Sequence, residues 1–109
     1  MIYLASPFTH PDFDVRKLRH RQAAECAAGL IRGGHCVFSP IAHSYWMSKK
    51  LDLPQTFEFW KHQDFEMIRR CDRVFVLKLD GWDTSKGVQA EIEFAKKLSK
   101  SIAYIEPNQ

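Results

Sequence analysis

Short runs of β-branched and aromatic residues alternate along this chain with longer stretches of helical period. Ile2 to Ala5 (IYLA) is a short apolar run ended by Ser6-Pro7, which predicts a buried strand. Asp12 or Asp14 then offers an N-cap, and Ala23, Cys26, Ala27, Leu30 and Ile31 recur at the spacing of one helix face. Gly33-Gly34 ends that helix as a left-handed C-terminal cap would. Cys36 to Ser39 (CVFS) predicts a second strand, closed by Pro40. From Ile41 to Leu53 no hydrophobic period holds, which predicts a long loop of the kind that carries function or acts as a lid. Pro54 stands in the first turn of a second helix running to about Cys71. Arg73 to Lys78 predicts the third strand, Lys86 to Ser99 the third helix, and Ile102 to Ile105 the fourth strand.

Alternation of strand and helix implies right-handed crossovers and a parallel sheet covered on both faces. The expected fold is therefore α/β, a flavodoxin- or Rossmann-like three-layer α/β/α sandwich with a four- to five-stranded parallel sheet. Such sheets bind ligands outside the carboxyl ends of the strands, where the strand order reverses. That rule points to Ser6–His10, Pro40–Trp46 and Leu79–Gly87. At 109 residues the chain is one domain's worth, and no linker or repeat divides it. The net charge of +3 is too small to mark a nucleic-acid surface, so no nucleic-acid polymer is expected as partner. No run reaches the roughly 20 apolar residues that span a bilayer, and no basic leader precedes the first strand. Three widely spaced cysteines, Cys26, Cys36 and Cys71, suit a core in a reducing compartment better than a disulfide framework. The expectation is a cytoplasmic protein that uses no metal or cofactor.

Two acids fall on the wrong helix faces. The second helix carries its apolar stripe on Phe57, Trp60, Ile68 and Cys71, and steps of three and four place Asp64 in the middle of it. The third helix has Val88, Ile92, Ala95 and Leu98 as its stripe, with Glu91 beside Ile92. Burying a carboxylate without partners costs several kcal/mol, so two acids so placed near one crevice point to chemistry. The bland alternative is that each reaches a backbone amide or a basic neighbour.

The segment entering the third helix adds a hydroxyl cap at Thr84 or Ser85 and a bare first turn at Gly87, the makings of an anion site. His10, His43 and His62 are candidate acid–base groups, but their spacing matches no metal site. The run Arg16–Arg21 (RKLRHR) reads as a solvated face, or else as a source of an arginine for a phosphate. Tyr45, Trp46 and Trp82 either stack on a flat ring or cover the core or a subunit contact. Phe59 and Phe65 lie off the main stripe of the second helix, and the small core favours a homodimer or higher homo-oligomer.

Tyr3 in IYLASPF, the Asp64-to-Asp72 spacing (DFEMIRRCD) leading into a strand, and Ser85-Lys-Gly-Val-Gln-Ala-Glu91 together resemble the nucleoside 2-deoxyribosyltransferase superfamily, which includes the 2′-deoxynucleoside 5′-phosphate N-hydrolases. The likeness spans nearly the whole chain and is strongest, through SPFTHPD, FSPIAHS and LDGWDTSKGVQAE, to a small bacterial and phage branch. The resemblance implies Glu91 as nucleophile, Asp64 as the group that binds the sugar and assists the leaving base, and Tyr3 as the residue that orients Glu91. It implies Ser85 at a 5′-phosphate. The chain departs from the pattern in its first turn, where Ala5-Ser6-Pro7 replaces a glycine-rich segment and Thr9 lies near the position of a missing arginine. A longer loop before Ser85 carries Trp82 and Asp83.

The expected function is cleavage of the N-glycosidic bond of a nucleoside or its 5′-monophosphate, by hydrolysis or by transfer to another base. Catalysis would rest on Glu91, Asp64 and Tyr3, with Ser6, His10, His43, Trp82, Asp83, Ser85 and Gly87 binding substrate. A non-catalytic nucleotide-binding or sensing module is the alternative, needing the anion pocket but not Glu91.

Overall fold

The computed structural model describes residues 1–107 and holds eight elements in the order expected of an α/β fold. Strand β1 (Ile2–Ala5) leads to helix α1 (Phe13–Arg32) and strand β2 (Val37–Phe38). Helices α2 (Pro40–Lys50) and α3 (Phe57–Arg70) precede strand β3 (Arg73–Leu77). Helix α4 (Lys86–Lys97) and strand β4 (Ser101–Ile105) complete the order. The four strands form one all-parallel sheet in the order β2-β1-β3-β4. The chain runs outward from β1 in both directions, so the order reverses between β1 and β3, and a crevice opens there at the carboxyl ends.

The caps explain where the helices start and stop. Asp12 accepts a hydrogen bond from the Asp14 backbone N–H at 2.8 Å and starts α1. At the other end the His35 N–H bonds the Leu30 carbonyl and the Gly34 N–H bonds the Ile31 carbonyl. That double closure requires a left-handed residue, and Gly34 supplies it at φ 97°.

Three sequence expectations about the elements need correction. The segment Ile41–Leu53 is not a loop: Pro40–Lys50 is helix α2, capped by Ser39, whose Oγ accepts from the Ala42 N–H at 3.1 Å. Its buried face is Pro40, Ser44 and Ser48, so the inward stripe is small and polar, and a hydrophobic period could not show it. Pro54 does not open α3, which begins at Phe57 behind the Thr56 cap. The Pro54 carbonyl instead accepts from Ser48 Oγ at 3.2 Å and from Trp60 Nε1 at 2.7 Å, tying α2 to α3. Strand β2 is also shorter than Cys36–Ser39, pairing with β1 through Val37 and Phe38.

The sheet has two differently built faces. On one, Tyr3, Ala5, Val74 and Val76 meet Ile68 and Cys71 of α3 and its C-cap, and Val88, Ile92 and Ala95 of α4. On the other, Leu4, Leu77 and Leu79 meet Ala27 of α1. Phe65, expected to be exposed, is half-buried and stacks on Phe94 of α4 at 4.2 Å, whereas Phe59 is exposed. Of the cysteines only Cys71 is fully a core residue; Cys26 is half-buried and Cys36 is exposed. Among the described residues no helix is long and apolar enough to cross a membrane.

Candidate active site

A cavity of about 470 Å³ opens at the carboxyl edge of the sheet, within the size range of small-molecule sites. Ser6, Phe8 and Thr9 follow β1, α2 presents Ile41, Ser44, Tyr45 and Ser48, and α3 presents Phe57, Glu58, Trp60 and Asp64. Residues 84–88 and Glu91 of α4 close the opposite wall.

The two acids meet here. Glu91 is 4% exposed and Asp64 is 5% exposed, and both line the cavity. Tyr3, with no exposed surface, donates its hydroxyl to Glu91 Oε2 at 2.6 Å. Strand pairing sets Tyr3 between Phe38 and Val74, so its ring is fixed and its hydroxyl has one direction to point. Burial pushes Asp64 up to about 7. Burial and the nearby Asp64 push Glu91 up to about 8, against the opposing pull of the Tyr3 hydrogen bond. Tyr3 itself is held well above the usual tyrosine range, chiefly by burial and then by the Glu91 charge, and stays a donor. The protons of this pair belong to both acids together.

Among the described residues two buried oxygens have no protein partner, Asp64 Oδ1 and Ser6 Oγ. Both residues line the cavity, and a buried polar atom left unpaired costs about 1–3 kcal/mol. They are the acceptor and hydroxyl that a polar ligand would satisfy. The aromatic wall is preset. Phe8 meets Tyr45 edge-on at 5.7 Å, Tyr45 stacks on His20 at 4.1 Å, and Trp60 is fixed through its indole N–H. Gly87 lets Phe57 close on the start of α4, since a Cβ there would stand 3.2 Å from the Phe57 ring.

Of the residues singled out from the sequence, Ser6, Asp64, Ser85, Gly87 and Glu91 line the cavity and Tyr3 lies beneath it. His10, His43, Trp82 and Asp83 do not line it. His10 accepts from the Asp12 N–H through Nδ1 at 3.0 Å, at the start of α1. His43 is exposed on α2, with Nδ1 3.2 Å from Ser44 Oγ. Trp82 packs on Tyr104 at 5.6 Å, and Asp83 is exposed. Ser85 caps α4, accepting from the Val88 N–H at 3.3 Å.

The arginines considered for a phosphate are committed elsewhere. Arg16 donates to the carbonyls of His10 and Pro11. Arg19 donates to the Thr9 carbonyl at 3.0 Å and the Asp80 carbonyl at 2.9 Å, joining the loop after β1 to the loop after β3. Gly81 permits that clamp, because a Cβ there would lie 2.7 Å from Arg19 Nη2. Sequence reasoning missed the α2 serines Ser44 (covered only by the stretch Pro40–Trp46) and Ser48, then Gln55, Thr56 and Glu58 around the start of α3, and Trp60 as a cavity wall rather than core. The four-residue step Pro40, Ser44, Ser48 was the available signal for the first two.

Among the described residues no three His, Cys, Asp or Glu side chains gather as metal ligands would. Fold and cavity together define a Rossmann-like α/β domain with a buried carboxylate pair at its strand-order reversal. The chain belongs to the family described as Domain of unknown function (DUF1937), whose sequence model matches residues 1–106. No curated protein matches it.

Proposed function

We propose that this protein cleaves the N-glycosidic bond of a nucleoside or nucleoside 5′-monophosphate. The observation that carries the reading is the buried Glu91 carboxylate, held by Tyr3, facing the same aromatic-walled cavity as the unpartnered Asp64. The resemblance of IYLASPF and the Ser85–Glu91 segment to the deoxyribosyltransferases supports it.

In this reading Glu91 attacks the anomeric carbon as the bond to the base breaks. The bonding pair leaves on the base nitrogen, and protonated Asp64 supplies the proton that makes the base a neutral leaving group. The glycosyl ester on Glu91 then yields to water or to a second base, with Asp64 taking up the proton. Tyr3 serves the first step by favouring the ionised form of Glu91, since its hydroxyl lowers the affinity of that group for a proton. Asp64, at about 7, gives up its proton before Glu91, at about 8. The reactive arrangement is therefore the other tautomer of the singly ionised pair, with the proton moved to Asp64 and the Tyr3 bond holding the Glu91 anion. Phe8, Tyr45 and Trp60 give a flat base an apolar slot.

A chromatographic screen of nucleosides and their monophosphates for free base tests the reading. Wild-type protein is expected to release base from at least one of them, and Glu91→Gln none. Saturable nucleotide binding without base release from any substrate would overturn it in favour of a sensing module.

A further inference from the structure

The charge inside the cavity is out of balance with a phosphorylated ligand. Its lining carries three acids, Glu58, Asp64 and Glu91, and a single cation, Lys86 on the exposed first turn of α4. Among the described residues no basic side chain contributes to the electrostatics of the two deeper acids, and Asp64 Oδ1 has no partner. Arg16 and Arg19, the arginines nearest in the chain to the first loop, donate to backbone carbonyls and do not line the cavity. Ser85 Oγ accepts from the Val88 N–H, which leaves its one hydroxyl proton as all that side chain can offer an anion. A dianionic phosphate would thus meet one exposed cation in this lining, and repulsion as the carboxylate pair ionises. The walls meanwhile carry the aromatic rings of Phe8, Tyr45 and Trp60. Tyr45 already holds a cation, Lys49, whose Nζ lies 5.6 Å from the ring centre, and His20 stacks on it at 4.1 Å.

We infer that the preferred substrate is an unphosphorylated nucleoside whose base carries a positive charge, such as a pyridinium or an N-alkylated purine, held between the aromatic wall and the carboxylates. The inference rests on the glycosidase reading for its chemistry and on the cavity for its specificity. A cationic base needs no proton to leave. As Glu91 forms its bond to the anomeric carbon, the pair of the breaking bond neutralises the ring nitrogen, and the base departs uncharged. Asp64 can then remain an anion throughout, opposite the positive ring it recognises. The unpartnered Ser6 hydroxyl is left for the sugar.

The test is binding, so that it stands apart from catalysis. A carbocyclic pyridinium nucleoside, which has no glycosidic bond to break, is compared by calorimetry with its neutral phenyl isostere. The pyridinium is expected to bind at least about tenfold more tightly at neutral pH, a factor that one cation–aromatic contact and one desolvated charge pair can supply. The advantage should widen from about pH 6 to about pH 8.5 as the carboxylate pair ionises. The other charged or titratable groups around it are Tyr3 on β1, His20 on α1, Lys49 on α2, Glu58 on α3 and Lys86 on α4. Tyr3 stays protonated across that range, and burial and Lys49 keep the His20 imidazole below its ordinary value and so neutral over most of it. Asp64→Asn should remove most of the preference, and a 5′-phosphate on the pyridinium analogue should weaken binding. Equal affinity of the wild-type protein for the charged and neutral analogues, or tighter binding of the phosphate, would overturn the inference. Base release from neutral nucleosides alone would leave the glycosidase reading standing while this one fell.

Discussion

The two faces of the sheet, one under the 20-residue α1 and the other under α3 and α4 of 14 and 12 residues, are built for different ends. Under α1 the contact is Leu4, Leu77 and Leu79 on Ala27, a small residue that brings the helix close and puts no charge in the interior. Under α3 and α4 the same sheet presents Tyr3 between apolar neighbours, and the helices answer with Asp64 and Glu91 inside their own stripes. Packing alone accounts for the first face. On the second, each acid occupies a place where an Ile or Leu would stabilise the domain, and what it brings instead is a carboxylate aimed at a cavity. The difference teaches where to look: the side of a sheet that tolerates buried charge is the side on which to seek chemistry.

The largest break in the comparison is Glu91→Gln. Base release is expected to fall by on the order of a thousandfold or more, since the nucleophile is gone while its shape and its bond from Tyr3 remain. Stability should move the opposite way. Glu91 binds its proton in the folded protein up to about pH 8 but, like a free carboxyl of value 4.5, loses it far sooner when unfolded. Between those limits the unfolded chain holds fewer protons, so stability falls as pH rises through the window, and it is lowest above it. The glutamine variant escapes that loss. Its melting temperature should exceed that of wild type by several degrees at pH 8 and match it near pH 4.5, measurable by calorimetry across pH. A variant less stable than wild type at pH 8 would place Glu91 among the residues that hold the fold together.

The opposite face breaks in the opposite sense. Ala27→Leu forces a large side chain between α1 and Leu4, and overpacking of this kind costs about 1–3 kcal/mol. Turnover per folded molecule should not change. Denaturant melts and active-site titration together check this, and lost turnover at full folding would show that α1 shapes the cavity after all.

Much of this contrast was legible in the sequence, and its gaps have physical causes. The strand runs, the stripes of α3 and α4 and the misplacement of Asp64 and Glu91 were all readable, because apolar period survives wherever the buried face is apolar. Helix α2 was hidden because its inward residues, Pro40, Ser44 and Ser48, are not hydrophobic, although its Ser39-Pro40 start was a helix signal in plain view. The role of Arg19 was unreadable, since its partners are carbonyls at Thr9 and Asp80 that no side-chain pattern records. His10 and Trp82 lay in the right loops by sequence, yet local bonds turn one toward the α1 cap and the other toward Tyr104.

Tyr3→Phe sharpens the comparison from within the chemical face. The ring keeps its place beside Phe38, so packing is preserved, and only the 2.6 Å bond to Glu91 is lost. That bond lowers the proton affinity of Glu91, and its removal lets burial and Asp64 raise the group further. The acid limb of the pH–rate profile should therefore shift to higher pH, with rates at neutral pH down by about tenfold and recovery on the alkaline side. An unshifted limb would mean that Glu91 does not titrate in that step.

The smallest expected effect is at the edge of the site. Ser85 lines the cavity, and its Oγ also accepts from the Val88 N–H, so one hydroxyl could serve the cap with a lone pair and a ligand with its proton. As a cap alone, Ser85→Ala costs about 1 kcal/mol of stability and leaves the preference between a nucleoside and its 5′-monophosphate where it was. As a phosphate ligand it would also shift that preference several-fold against the monophosphate. The geometry favours the cap. The bond to Val88 is made, no arginine of the first helix reaches the cavity, and Glu58 and Asp64 on the facing helix add negative charge. Thermal melts are thus expected to fall by about 4–8 °C with an unchanged ratio of the two kcat/KM values. A several-fold change in that ratio would restore the 5′-phosphate to this end of the cavity, and with it the anion-binding role of the α4 N-terminus.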